Sequence, residues 1–174
     1  MEFHLKAQNV LAACLIALAP IIMSPAGAQE PSGSAPLFAA SFKDFDRKLQ
    51  PLSQWQGKPM VVYFWATWCK SCKQELPELI ALHEKYKSKG VTVLGIAIDN
   101  TDKVREFVKE YKVTYPVLIG SNDAMALSKS LGNKVGGLPF AVVIDAKGAV
   151  VGRLLGETAP GKFEALVRPL SGQG

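Results

Sequence analysis

The feature that most constrains this chain is a pair of cysteines directly after a strongly apolar segment. Residues 61–65, VVYFW, are rich in β-branched and aromatic side chains, which is typical of a buried strand. The residues that then recur at intervals of four and three, as on one face of a helix, are Cys72, Leu76, Leu79, His83 and Tyr86. The first cysteine, Cys69, is therefore expected at a helix N-terminus. Unpaired N–H groups and the helix dipole favour a thiolate there, and thiolate is the nucleophile of disulfide exchange.

The residues around this pair resemble a known family. WATWCKSC is followed by Glu75-Leu76-Pro77 and later by Gly137-Leu138-Pro139. This combination resembles the thioredoxin superfamily, and more closely the TlpA/ResA-like thiol-disulfide oxidoreductases of the bacterial envelope. The resemblance covers about residues 52–166. A CxxC pair alone also occurs in zinc sites, whereas a strand, Trp-Cys-x-x-Cys and a helix in succession are much more specific.

The N-terminus predicts an export signal. Lys6 precedes an almost purely apolar run, residues 10–23, and Ala26-Gly27-Ala28 is typical of a cleavage site. The shortness of the run, together with Pro20 and Pro25, argues against a retained membrane anchor, which remains the alternative. We expect a signal peptide over residues 1–28, a flexible Pro/Gly/Ser-rich linker over 29–36 and one thioredoxin-like domain over 37–174.

Cysteine usage and charge exclude two classes of protein. Cleavage would remove Cys14 and leave only two cysteines, too few for the disulfide framework of a small secreted domain. The value of the pair is therefore chemical. The net charge is +5, but the lysines are interspersed with acidic residues and form no basic block, so nucleic-acid binding is not expected.

The rest of the chain alternates strand and helix signals. Further strands are predicted at residues 91–98, 115–119, 140–145 and 149–155, and the last two form a β-hairpin by their spacing and by the glycine of Ala146-Lys147-Gly148. Further helices are predicted after residues 99–102, which offer N-caps, at 123–131 and at 160–167. This order predicts an α/β, thioredoxin-like three-layer fold, with a central mixed β-sheet and helices on both faces. The 41 residues from Asp99 to Pro139 leave room for an extra strand–helix insertion.

Residues 37–55 are ambiguous. Their apolar side chains fit one face of a helix, which Pro51 would break: Phe42, Phe45, Leu49 and Leu52.

The expected solvent accessibility of the two cysteines assigns their roles in disulfide exchange. Cys69 comes first, at the loop–helix junction, and is the expected attacking nucleophile. Cys72, one turn into the helix, should be more buried and resolve the mixed disulfide. A zinc half-site is the alternative. Because His83 is the only histidine left after cleavage, and no second cysteine pair exists, four-ligand coordination is not available and no metal is expected.

The resemblance implies a docking surface beside the cysteines. The proline that matches Pro139 is cis in thioredoxin-like proteins and faces the dithiol, so that the backbone of Leu138 can pair with an extended substrate segment. An ordinary trans proline at the start of a strand is the alternative. Trp68 is expected to form an apolar lip on which partner proteins dock, whereas Trp65 is expected to serve packing.

Glu75 departs from the thioredoxin pattern. Thioredoxins carry a buried aspartate six residues before the first cysteine, where this chain has Tyr63. ResA-like proteins instead resemble this chain in having a glutamate three residues after the second cysteine. Glu75 lies near Cys72 on a helix and is expected to exchange a proton with its thiol. The alternative is a solvent-facing glutamate.

These residues predict a periplasmic thiol-disulfide oxidoreductase that reduces disulfides in substrate proteins. The resemblance implies envelope substrates such as apocytochrome c, in cytochrome c biogenesis, or copper-site proteins, and a membrane-embedded thiol reductase as electron donor. It further implies a monomer without a cofactor.

Two other functions are considered. A thiol peroxidase of the peroxiredoxin type needs a Pro-x-x-x-Thr/Ser-x-x-Cys motif, which neither Cys69 nor Cys72 completes. A copper carrier could use the two thiolates, since Cu(I) prefers soft ligands, but no methionine or histidine lies near them in the sequence.

Overall fold

A seven-stranded mixed sheet forms the centre of the part of the chain that the structure describes, which is Met1 and residues 33–172 of a computed structural model. In chain order the strands are β1 (Ser41–Lys43), β2 (Leu49–Pro51), β3 (Met60–Trp65), β4 (Thr92–Ile98), β5 (Val117–Gly120), β6 (Phe140–Ile144) and β7 (Val150–Leu155). Their order across the sheet is β2-β1-β5-β4-β3-β6-β7. Strand β3 runs parallel to β4 and antiparallel to β6, and β4 runs parallel to β5.

Helices cover both faces of this sheet. They are α1 (Ala35–Phe38), α2 (Lys70–Tyr86), α3 (Thr101–Glu110), α4 (Asn122–Ser130) and α5 (Lys162–Val167), with short 3₁₀ helices at Leu52–Trp55, Lys87–Lys89 and Arg168–Leu170. All six residues of β3 are buried, and alternate ones point to opposite faces. One core contains Val61, Tyr63 and Trp65 with the apolar sides of α2, α3 and α5. The other contains Met60, Val62 and Phe64 with α1 and α4.

The predicted α/β three-layer fold is therefore confirmed. Between β4 and β6 the chain forms α3, β5 and α4, so the predicted extra strand and extra helix are both present. The predicted hairpin is formed by β6 and β7, which pair antiparallel from Phe140↔Leu155 to Ile144↔Val150.

Residues 37–55 do not form the helix that their spacing allowed. They contain the β1–β2 hairpin, and Lys43 of β1 pairs with Ile119 of β5. The carboxylate of Asp44 accepts the N–H groups of Asp46 and Lys48 and so stabilises the turn. Phe42 packs into one core and Phe45 against the other, which residues on one helix face could not do.

The folded part begins earlier than the predicted domain boundary. Ser34, which was expected to lie in the linker, is buried, and its hydroxyl donates to the carbonyl of Gly148 at 2.6 Å. Helix α1 then begins at Ala35. The predicted signal peptide, apart from Met1, lies outside the described residues. Within residues 33–172 no helix is long and apolar enough to cross a membrane.

Candidate active site

The two cysteines lie where the sequence predicts them. Strand β3 ends at Trp65, and Cys69 is the N-cap of α2. Cys69 and Cys72 form a disulfide with their Cα atoms 5.2 Å apart, so the structure shows the oxidised form. The Cys69 Sγ accepts the backbone N–H of Cys72 at 3.2 Å, as an N-cap side chain does. This donor remains available to a thiolate on Cys69 after the disulfide is reduced.

Cys69 is the more accessible of the two cysteine residues, as predicted, although the difference is small in the oxidised form. Cys69 is 5% exposed and Cys72 is 0% exposed. The hydroxyl of Ser71 lies 3.8 Å from the Cys69 Sγ and is a second possible donor to it. Trp68, immediately before Cys69, is 69% exposed. The neighbouring Trp65 is fully buried with its ring centroid 5.0 Å from that of Phe107, which is the packing role expected for it.

The Gly-Leu-Pro segment lies at the same end of the sheet. Phe64 pairs with Phe140, so Pro139, one residue before β6, lies beside the end of β3 from which the cysteine loop leaves. The Leu138–Pro139 peptide bond is cis, as the resemblance implied. Leu138 is partly exposed and Pro139 is buried, and Leu138 packs against the core that contains the two cysteines.

Asn133 holds this segment in place, and the sequence did not predict that role. Asn133 is fully buried, and its side-chain amide donates to the carbonyl of Gly137 at 2.9 Å. Its side-chain oxygen accepts the N–H of the same glycine at 3.1 Å. Asn133 therefore fixes the position of the residue that precedes Leu138-Pro139. No motif marked it, because the pairing depends on the fold of the loop after α4.

Glu75 is buried, not solvent-facing. Its side chain is only 5% exposed, and its carboxylate accepts three hydrogen bonds. The Tyr63 hydroxyl donates to Oε2 at 2.9 Å, and the backbone N–H and hydroxyl of Thr158 both donate to Oε1 at 2.8 Å. The Tyr63 oxygen also lies 3.4 Å from the carbonyl oxygen of Cys72. The structure thus brings Glu75 together with the residue that replaces the thioredoxin aspartate and with the backbone of the second cysteine.

Tyr63 and Thr158 are the further members of this site. Burial, and then the neighbouring charge of Glu75, raise the pKa of the Tyr63 hydroxyl well above its ordinary value. Tyr63 therefore keeps its proton and acts as a hydroxyl. In the sequence, Tyr63 was noted only as the residue that stands where thioredoxins have an aspartate. No pattern in the sequence indicated a role for Thr158, which is 83 residues from Glu75.

Asp99 anchors the loop that carries the cysteines. Its Oδ2 accepts both the backbone N–H of Thr67, at 3.1 Å, and the Thr67 hydroxyl. Burial alone would raise the pKa of Asp99, but the hydrogen bonds from Thr67 and from the N–H of Asn100 outweigh it and hold that pKa below its ordinary value. In the sequence Asp99 was only one of several N-cap candidates. The actual N-cap of α3 is Asn100.

His83 lies far along α2 from the cysteines. Its ring packs edge-on against Tyr115 at 6.3 Å, and burial lowers its pKa. Residues 33–172 contain no group of three or more His, Cys, Asp and Glu side chains arranged to hold a metal ion.

Comparisons with known proteins agree with this geometry. The sequence matches the AhpC/TSA family over residues 31–153. It is 34% identical over 139 residues to "Thiol-disulfide oxidoreductase ResA" of a Bacillus cereus strain, covering 79% of this chain and 76% of that protein. The ResA of Oceanobacillus iheyensis is 31% identical over 132 residues, covering 75% of this chain and 67% of that protein.

Solved structures share the fold. A thiol:disulfide interchange protein of the thioredoxin family from Chlorobium tepidum superposes with a TM-score of 0.68 at 28% identity, covering 78% of this chain and 93% of that one. A secreted Mycobacterium tuberculosis disulfide oxidoreductase, described as homologous to E. coli DsbE, gives a TM-score of 0.66 at 21% identity, covering 76% of this chain and 97% of that one. At that identity the second likeness supports the fold alone.

The fold, the helix-capping disulfide and these relatives define a thiol-disulfide oxidoreductase of the thioredoxin superfamily. Within that superfamily, the chain belongs to the AhpC/TSA family.

Proposed function

We propose that this enzyme works as a reductant of disulfides in exported substrate proteins, with Cys69 as the attacking thiolate. The observation that carries the role of Cys69 is its N-cap geometry, in which its Sγ accepts the N–H of Cys72 at 3.2 Å. A helix N-terminus with a free donor stabilises a thiolate at the sulfur. Because Cys69 is also the more accessible cysteine, an incoming disulfide meets it before Cys72.

The proposed reaction proceeds in two exchanges. The Cys69 thiolate attacks one sulfur of the substrate disulfide, forms a mixed disulfide and releases the other substrate sulfur as thiolate. Cys72 then loses its proton and attacks the Cys69 Sγ, which releases the second substrate thiolate and closes the Cys69–Cys72 disulfide. Two electrons pass from enzyme to substrate. The structure has the geometry of the oxidised product.

Glu75 is the proposed acceptor of the Cys72 proton. It lies three residues after Cys72 on α2, so the two side chains emerge on neighbouring parts of one helix face. Its burial excludes most solvent, and the Tyr63 hydroxyl lies within 3.4 Å of the Cys72 carbonyl oxygen as well as 2.9 Å from Glu75. A carboxylate in this position can act as a general base when Cys72 attacks.

The proposed location is the periplasm, after cleavage of a signal peptide. The apolar run and Ala26-Gly27-Ala28 support it. A retained anchor facing the periplasm is the alternative. Proposed substrates are disulfide-bearing envelope proteins such as apocytochrome c or copper-site proteins, with electrons from a membrane-embedded thiol reductase. We propose that the enzyme acts as a monomer.

The reduction potential of the Cys69–Cys72 couple tests the proposed direction. It can be measured by equilibrating the protein with defined thiol–disulfide buffers and quantifying the free thiols. A value near that of thioredoxin, about −270 mV, supports a reductant, whereas a value near that of DsbA, about −120 mV, would make the enzyme an oxidant. N-terminal sequencing of protein recovered from the envelope tests the location, with a start near Gln29 expected.

No observation on the described residues supports the thiol peroxidase or the copper carrier. The peroxidase motif is absent around both cysteines. The two sulfurs suit disulfide chemistry directly, since they lie in one turn and are already bonded to each other. Copper titration of the reduced protein, with no tight Cu(I) complex expected, distinguishes the carrier alternative.

A further inference from the structure

The hydrogen bonds around Glu75 suit its charged form. A carboxylate can only accept hydrogen bonds, and two neighbouring residues donate three of them to it. Thr158 donates its N–H and its hydroxyl to Oε1, and Tyr63 donates its hydroxyl to Oε2. With both oxygens engaged, the buried carboxylate is satisfied in the oxidised form of the enzyme.

A protonated Glu75 needs a different arrangement, because its own O–H requires an acceptor. At Oε1 the Thr158 N–H cannot become an acceptor, and the Thr158 hydroxyl, which could, has no second acceptor for its hydrogen among the described residues. At Oε2 the partner in the described structure is a hydroxyl, which can either donate or accept. The Tyr63 oxygen also lies 3.4 Å from the Cys72 carbonyl oxygen, so its hydrogen has a second acceptor to turn towards.

We propose that Tyr63 is the positioning residue through which Glu75 takes up and releases the Cys72 proton, by reversing its hydrogen bond to Oε2. The inference rests on the proposed role of Glu75. When the S–H bond of Cys72 breaks, an O–H bond forms at Oε2 and donates to the Tyr63 oxygen, while the Tyr63 hydrogen turns to the Cys72 carbonyl. When Glu75 loses the proton again, the Tyr63 hydrogen returns to Oε2. No electrons move in this step.

The ring of Tyr63 is held while its hydroxyl hydrogen is free to rotate. Tyr63 is fully buried in β3, and its ring meets that of Phe163 edge-on with 6.2 Å between centroids. Burial also raises the pKa of the hydroxyl, so Tyr63 does not ionise and compete with Glu75 for the proton. A fixed ring with one rotating hydrogen can serve both protonation states of Glu75 without any movement of the chain.

Most other titratable groups nearby are engaged elsewhere or exposed, whereas Tyr115 is buried. On the elements packed around Glu75 they are Lys73 and Glu78 on α2, Tyr115 before β5, Glu157 beside Thr158, and Lys162 and Glu164 on α5. Glu78 accepts the N–H of Gly161, and Glu164 pairs with Lys85. Tyr115 is buried, and its hydroxyl has no hydrogen-bond partner within the described residues.

The two thiol steps can be separated with a chromogenic aryl disulfide. The reduced enzyme releases a first aryl thiolate when Cys69 attacks and a second when Cys72 resolves the mixed disulfide. Both phases would be recorded against pH in the wild type and in Tyr63→Phe, Glu75→Gln and the double variant. Tyr115→Phe is the matched control, because it removes a buried hydroxyl that has no hydrogen-bond partner among residues 33–172.

We expect Tyr63→Phe to slow the second phase by about tenfold and to move its pH dependence upward, with the first phase changed less than about twofold. The double variant should be no slower than Glu75→Gln, since the two residues act in one step. Tyr115→Phe should change neither phase. A second phase in Tyr63→Phe with wild-type rate and pH profile would make Tyr63 a packing residue and overturn the inference.

The outcomes separate this inference from the proposed role of Glu75. A normal second phase in Glu75→Gln would overturn both, whereas a slow Glu75→Gln beside a normal Tyr63→Phe would overturn only the role of Tyr63. If Tyr63→Phe fails to fold, carbon-13 NMR of the reduced wild type decides. The Cζ signal of Tyr63 should shift with the same pH midpoint as the carboxyl signal of Glu75, and a Cζ signal that stays constant through that midpoint would contradict the reversal.

Discussion

The carboxylate of Asp99 accepts both the backbone N–H and the hydroxyl of Thr67, two residues before Cys69. Asp99 directly follows β4, and Thr67 lies in the loop that leaves β3. Because these strands are neighbours and parallel, their carboxyl ends meet at one edge of the sheet. One side chain from the adjacent strand thus fixes the cysteine loop, and it does so most strongly while it is charged.

Asp99 should make the stability of the oxidised protein depend on acid pH. Since its pKa in the folded protein lies below the ordinary value of 3.8, its contribution is present in full above that value and is lost as pH falls through the folded-state pKa. We expect Asp99→Asn to lower the free energy of unfolding at neutral pH by about 1 kcal/mol. The wild type and the variant should converge as the pH falls below 3.8 and through the folded-state pKa of Asp99, in urea unfolding measured across this range.

A matched control for this experiment is Asp102→Asn. Asp102 is on the same segment, but its side chain is 84% exposed and its ion pair with Arg105 is long, at 3.9 Å. Little change in stability is expected from it at any pH. Parallel curves for the wild type and Asp99→Asn from neutral to acid pH would contradict the role given to Asp99.

The order of the two cysteines predicts different products from their single variants. Cys69→Ser should abolish reduction of a protein disulfide, because the accessible thiolate is lost. Cys72→Ser should still attack but cannot resolve, so it should accumulate mixed disulfides with partner proteins. Non-reducing electrophoresis and mass spectrometry identify these adducts. Adducts formed by Cys69→Ser instead of Cys72→Ser would invert the assignment.

Removal of the Glu75 carboxylate should slow turnover. Glu75→Gln keeps the size of the side chain but removes the proton acceptor, and we expect reduction of a protein disulfide to be slower by about tenfold or more. Glu78→Gln is the matched control. It lies one turn further on the same helix and also accepts an N–H from the segment after β7, at Gly161. Equal rates in Glu75→Gln and Glu78→Gln would leave Glu75 with a purely structural role.

Trp68 should affect substrate proteins but not stability. Its side chain is 69% exposed, so Trp68→Ala should change the free energy of unfolding by less than about 0.5 kcal/mol. If Trp68 forms part of the docking surface, KM for a protein disulfide should rise severalfold, while reaction with a small aryl disulfide should be almost unchanged. Leu49→Ala, another exposed apolar residue but on the edge strand β2, should change neither.

The sequence allowed prediction of the elements whose signal is local. The run before Cys69, the periodic spacing of α2 and the β6–β7 turn each depend on residues close together in the chain, and each is found where expected. The β1–β2 hairpin was not predictable in this way. Phe42 and Phe45 are spaced as on a helix, but they pack into different cores because β1 pairs with β5.

The candidate site was predictable in its cysteines and less so in its supporting contacts. Glu75 was found through its position on α2, but whether it faced solvent depended on Thr158, which folding brings back from 83 residues away. The role of Asn133 could not be predicted for the same reason, since its contacts with Gly137 arise from the shape of a loop. Such contacts leave no periodicity in the sequence, because each joins single residues of segments that pack only in the folded state.

The hydrogen bond from Ser34 to Gly148 fixes the end of the sheet at which the chain enters the folded domain. Gly148 lies in the turn between β6 and β7, at the end of the sheet away from Phe140 and therefore away from the cysteines. The chain consequently enters the folded body at the pole opposite the disulfide. A membrane or a fused domain attached through the residues before Ser34 would therefore lie on the side opposite the disulfide. Cys69 would then lie on the side that approaching proteins can reach.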